Sequence, residues 1–162
     1  MTHIADDYDS DLDLVFERTV ELHPEQIWAA WTQPAHVVHW FTPAPWKTLS
    51  CDIDLRPGGV FRTVMCSPEG QQHPHVGCYL EIVENRRLVW TDALGPGYGP
   101  AANPFITAYI TLEPEGGGTR YHARARHKNS EDMLRHVDMG FERGWGLALD
   151  QMVAYMKALK TQ

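Results

Sequence analysis

Apolar and β-branched residues alternate, imperfectly, through LDLVFERTVEL from Leu12 to Leu22, and this pattern predicts a first strand. Pro24 ends it and suits the first turn of a helix. After it Ile27, Trp28 and Trp31 recur at helical spacing and predict a short amphipathic helix through about Thr32. Pro34 starts a second short helix that reaches about Trp40. Helices this brief need an apolar surface to lie on.

A strand-rich middle follows. Strands are predicted over about 47–55 and 60–67, joined by Arg56-Pro57-Gly58-Gly59, where proline fixes φ at one corner and glycine accepts positive φ. Glu69-Gly70 marks the next turn, a strand runs over about 75–84, Asn85-Arg86 reverses it, and Leu88 to Ala93 returns. The segment from Gly95 to Pro100 alternates glycine and proline around Tyr98 and is a loop. Two more strands, about 105–113 and 119–128, flank the turn Gly116-Gly117-Gly118. Ser130 then stands as a cap before Glu131 and Asp132, and one long helix is expected to about Leu159, uninterrupted by Gly140, Gly144 or Gly146. The order predicts an α+β fold of the helix-grip, START-like kind. In it a curved antiparallel sheet of about seven strands wraps a long C-terminal helix, with two short helices between the first two strands.

The last strand, TRYHARARHK, puts Thr119, Tyr121, Ala123, Ala125 and His127 on one face. Arg120, His122, Arg124, Arg126 and Lys128 take the other, which is expected to be wet. Ala123 and Ala125 sit where a filled core favours larger side chains, so a cavity is expected in front of them. Its lining follows from alternation on the other strands: Phe61, Thr63 and Met65; Leu88, Trp90 and Asp92; Ile106, Ala108, Ile110 and Leu112. Phe141, Trp145, Leu149, Met152 and Met156 form the helix stripe that faces it. Tyr98 is a candidate lid, closing against the Met133 to Phe141 end of the helix, or else part of an idle surface loop.

Length and charge narrow the function. A chain of 162 residues fits one domain with a core that needs no staples. Cys51, Cys66 and Cys78 are odd in number and form no C-x-x-C pair, which fits reduced thiols in a cytoplasm. The net charge of −7 owes much to Asp6, Asp7, Asp9, Asp11 and Asp13, leaving 16 acids against 14 bases elsewhere. Residues 1–11 are therefore expected as an acidic, flexible tail ahead of a single domain over 12–160. Without a clustered basic surface, nucleic acid is a poor partner. The N-terminus shows no signal-peptide pattern, and no apolar run is long enough to span a membrane.

Candidate chemistry is sparse. His36 with His39, and His73 with His75, each supply two metal ligands and no spacing announces a third, so no metal is expected. Asp92, Tyr121 and His127 are the polar residues pointing inward; an acid and a histidine there could exchange protons with a guest, or simply be paired and solvated. Glu17, Arg18, Asp54 and Arg56 are expected to form structural ion pairs. No nucleophile elbow, phosphate-binding loop or dinucleotide fingerprint is present.

The ordered marks Glu17-Arg18, Pro24…Ile27-Trp28…Trp31, Trp40-Phe41, Asp54-Leu55-Arg56-Pro57-Gly58-Gly59-Val60-Phe61, Gly77…Tyr79-Leu80-Glu81-Ile82, Arg87-Leu88-Val89…Thr91-Asp92, Gly118-Thr119 and Gly144-Trp145 resemble the START/SRPBCC superfamily. Within it they resemble the homologues of the heat shock protein 90 ATPase activator, also described as polyketide-cyclase-like, over about residues 14–159. The resemblance implies a cavity rather than a reaction. The expectation is a carrier or sensor of a small hydrophobic or aromatic molecule, without cofactor. A cyclase or hydrolase using the same cavity, a co-chaperone-like protein partner and a homodimer stay open.

Overall fold

The computed structural model describes residues 8–160; Asp6 and Asp7 of the acidic head lie outside them. Strand β1 (Asp13–Val20) is followed by α1 (Pro24–Thr32) and α2 (Pro34–Trp40). Then come β2 (Lys47–Ile53), β3 (Val60–Cys66), β4 (Gln72–Val83), β5 (Arg87–Thr91), β6 (Thr107–Glu115) and β7 (Gly118–Arg126). Helices α3 (Ser130–Asp138) and α4 (Phe141–Lys160) complete the chain. The sheet order is β1-β7-β6-β5-β4-β3-β2, antiparallel throughout. The two edge strands are thus consecutive in sequence, and α1 and α2 cross from one edge to the other. This is the helix-grip fold. Among the described residues, no helix is long and apolar enough to cross a membrane.

The single long helix expected from Ser130 is two. Met139 N–H bonds the Arg135 carbonyl and Gly140 N–H the Val137 carbonyl, closing α3; Gly140 then takes φ +89°, which a side chain resists. A new ladder starts with Gly144 N–H on the Gly140 carbonyl. The cap of α3 is Asn129 rather than Ser130, its side chain accepting from Asp132 N–H at 2.8 Å.

The outer face of β7 is not wholly wet. Arg124 is fully buried, its guanidinium 3.9 Å from the ring centroid of Tyr109, which is its β6 neighbour. Asp13, counted above with the N-terminal run of acids, is the first residue of β1 and is buried as well. It accepts from Arg126 at 2.8 and 2.9 Å and lies 3.7 Å from Arg124. The reason is position: β7 is flanked by β1 and β6, so neighbouring side chains cover its outer face. Among the charged marks on strands and turns, Arg56 pairs with Asp54 at 2.7 Å and Arg18 with Glu142 at 3.6 Å.

The inner face carries the core. Phe16 stands directly across from Ala123, meets Tyr121 edge-on at 6.4 Å, and reaches α4 where Gly146 has no side chain. A Cβ at Gly146 would lie 3.5 Å from the Phe16 ring. The volume that Ala123 and Ala125 leave is therefore taken by Phe16 and the close approach of α4.

Candidate functional site

A cavity of about 590 Å³ opens between the sheet and the helices. Its sheet wall is Phe61, Thr63 and Met65 of β3, His73, His75 and Gly77 of β4, Trp90 of β5, and Tyr121 of β7. Register explains the set: Phe61 faces Gly77, Thr63 faces His75 and Met65 faces His73, so all six share one face. The helix wall is Trp31, Trp40 and Phe41 on one side and Phe141, Gly144, Trp145, Ala148 and Leu149 on the other. The aromatic rings brace one another, with Trp31–Trp40 centroids 4.9 Å apart, Phe41–Phe61 5.6 Å and Phe61–Trp90 5.1 Å, each close to edge-to-face. Such contacts hold the rings back from the space between them.

What leaves the room is a row of small residues. Gly144 has only Pro43 Cγ near its missing Cβ, at 3.9 Å, and Gly140 has nothing within 4 Å. Gly77 sits so close to the Thr91 carbonyl that a Cβ would come within 2.8 Å of it. Glycines in sheet and helix, rather than the alanines of β7, shape the cavity.

Polar groups are few and mostly engaged. Tyr121 Oη accepts from Trp31 Nε1 at 3.1 Å, and burial pushes its phenol above the usual range. Asp92 Oδ1 accepts from the amides of Phe105 and Ile106 at 2.7 and 3.0 Å, clamping the base of the loop that follows β5. Thr63 is buried on the β3 part of the wall. Burial lowers the pKa of His75, against the opposing charge of Asp92 and with help from His73. His136 of α3 closes the far end, its ring 5.0 Å from both Phe105 and Phe141. Burial, then His127 and Arg135, hold its pKa down at about 4. His127 itself bonds His136 Nδ1 and lies behind it, outside the lining.

Of the residues expected to line a cavity, Phe61, Thr63, Met65, Trp90, Asp92, Ile106, Tyr121, Phe141, Trp145 and Leu149 come together around this one. Leu88, Ala108, Ile110, Leu112, Ala123 and Ala125 do not: all six are buried in the filled part of the core, and Phe16 and α4 occupy the space in front of Ala123 and Ala125. Tyr98 is not at the cavity either. Its ring packs on Gly58, and Gly97 N–H bonds the Gly58 carbonyl at 2.8 Å, pinning the 3-10 turn Pro96–Tyr98 to the β2–β3 turn. It does not approach the Met133 to Phe141 segment, where Phe105 stands instead. Trp31, Trp40, Phe41, Phe105, His136 and Gly144 were missed as lining. The aromatic pair Trp40-Phe41 after a short helix was the available signal for two of them. His36 and His39 face Tyr155 instead, at 2.8 Å from Nδ1 and by stacking at 4.7 Å. Among the described residues, no three His, Cys, Asp or Glu side chains gather as a metal site would require.

A family model for proteins described as activator of Hsp90 ATPase homolog 1-like matches residues 21–157. A crystal structure of a Nitrosomonas europaea protein superposes with a TM-score of 0.93 at 41% identity, covering 96% of this chain and 100% of that one. A Rhodobacter sphaeroides protein does so with a TM-score of 0.80 at 22% identity, over 93% and 96%. An Aeromonas hydrophila protein described as AHSA1-like gives 0.67 at 19%, over 93% and 96%. The last two show likeness of fold. No curated protein matches this chain.

Proposed function

Since the chain belongs to the family of activator of Hsp90 ATPase homolog 1-like proteins, we propose that it acts by binding, and that its guest is a small, mainly apolar, ring-containing molecule held between the sheet and α4. The cavity carries this reading: about 590 Å³, within the range that takes a drug-sized ligand, walled by aromatic rings with a handful of polar atoms. Rings prefer ring-shaped guests, which meet them edge-on or offset without losing hydrogen bonds. A role as carrier or sensor follows from holding such a guest away from water.

The test uses N-phenylnaphthylamine, a neutral dye that brightens in apolar surroundings. The protein should bind it saturably, and Gly144→Leu should weaken binding at least tenfold by filling the cavity. The variant should remain as stable as the parent or more so, because leucine is a better helix former than glycine by about 1 kcal/mol. Absence of saturable binding by the parent, or equal binding by the variant, sinks the reading. In that event attention moves to a protein partner on the outer surface.

A further inference from the structure

His136 is fixed on one edge and open on the other. The Leu12 carbonyl lies 2.8 Å from His127 Nδ1 and can only accept, so Nδ1 carries a hydrogen. When each ring carries a single hydrogen, His127 Nε2 is therefore an acceptor, and His136 Nδ1, 2.9 Å away, donates to it. His136 consequently keeps its hydrogen on Nδ1 and leaves Nε2 as a bare lone pair. The ring lines the cavity, among Phe105, Phe141 and Trp145.

We infer that the guest carries a hydroxyl on an aromatic or conjugated ring, and that His136 Nε2 accepts a hydrogen bond from it. This rests on the reading that the cavity binds an apolar guest. A carbonyl or ether oxygen at that point would set lone pair against lone pair, whereas a hydroxyl satisfies it. The charged and titratable groups around His136 are few. His127 faces it from the end of β7, and Arg135 and Asp132 belong to its own helix. Asp132 is engaged by Lys128 and Arg135, and the loop and α4 present only rings. An ammonium donor would lose its water there without gaining a carboxylate at His136. Burial keeps the His136 imidazole neutral at physiological pH.

Naphthol and methoxynaphthalene share a ring system and differ by the donor. The protein should bind naphthol roughly three- to tenfold more tightly, as one net hydrogen bond allows. His136→Leu should bring the ratio to about one while methoxynaphthalene still binds, which also shows that the variant is folded. Both probes bound equally by the parent, or a ratio unchanged in His136→Leu, overturns the assignment of His136 and leaves the cavity reading standing. If neither probe binds, both fall. Nitrogen NMR gives a check that needs no variant. In the free protein His136 Nε2 should carry no hydrogen, and naphthol but not methoxynaphthalene should shift it. A hydrogen found on Nε2 overturns the inference.

Discussion

Trp31 Nε1 donates to Tyr121 Oη at 3.1 Å, tying the first helix to an inner strand ninety positions away in sequence. Both groups are buried, so the bond has no water to fall back on. Tyr121→Phe would leave the indole N–H without its acceptor and should cost about 1–3 kcal/mol in urea unfolding. Its effect on dye affinity should stay within about threefold, because the ring remains. A loss too small to measure would mean that the phenol oxygen is not what satisfies Trp31.

Asp13 organises two arginines of β7. Burial works against its carboxylate, but the hydrogen bond from Arg126, the Asp9 amide and the charges of Arg126 and Arg124 outweigh it and hold the carboxyl below its ordinary value of 3.8. A folded-state pKa below the unfolded one stabilises the protein above the unfolded value, and that contribution is lost as pH falls through the folded one. Asp13→Asn should therefore cost about 3–5 kcal/mol at neutral pH, since it removes the negative charge facing buried Arg124. The difference between variant and parent should shrink below about pH 4. Equal urea midpoints at neutral pH would contradict the account.

His136 gives a second, separate pH window. Its pKa falls to about 4 on folding, because burial, then His127 and Arg135, all disfavour the cation. Between that value and 6.5 the unfolded chain binds more protons than the folded one, so stability declines as pH drops through this range. His36, His75 and His122 are lowered too and act in the same sense. The drop in urea midpoint from pH 7 to pH 5 should be smaller in His136→Phe than in the parent. An identical drop would place the proton uptake on the other three histidines.

Turn chemistry made most of the fold legible. Prolines at 24 and 34 and the Arg-Pro-Gly-Gly, Asn-Arg and triple-glycine turns punctuate the chain where the elements begin and end. Gly140 escaped because a glycine inside an amphipathic stretch can either be tolerated or take positive φ, and periodicity does not distinguish them. Half of the cavity was legible from strand alternation. The alanines of β7 misled because a small residue on a strand predicts empty space only if nothing crosses in front of it, and Phe16 does. Asp13 was read with its acidic neighbours, and only pairing with β7 reveals that it is buried among arginines on the outer face of the sheet.

The three glycines at the cavity differ in what selection can do with them. Gly77 is walled in by the Thr91 carbonyl, and Gly140 holds a backbone angle that side chains resist. Gly144 alone has ordinary helical surroundings and open space, with Pro43 at van der Waals distance from an added methyl. A single codon can therefore step the internal volume down, one methyl or isobutyl group at a time, with the scaffold unchanged. Guest size in this lineage is evolvable independently of foldability, through a position that carries no side chain of its own.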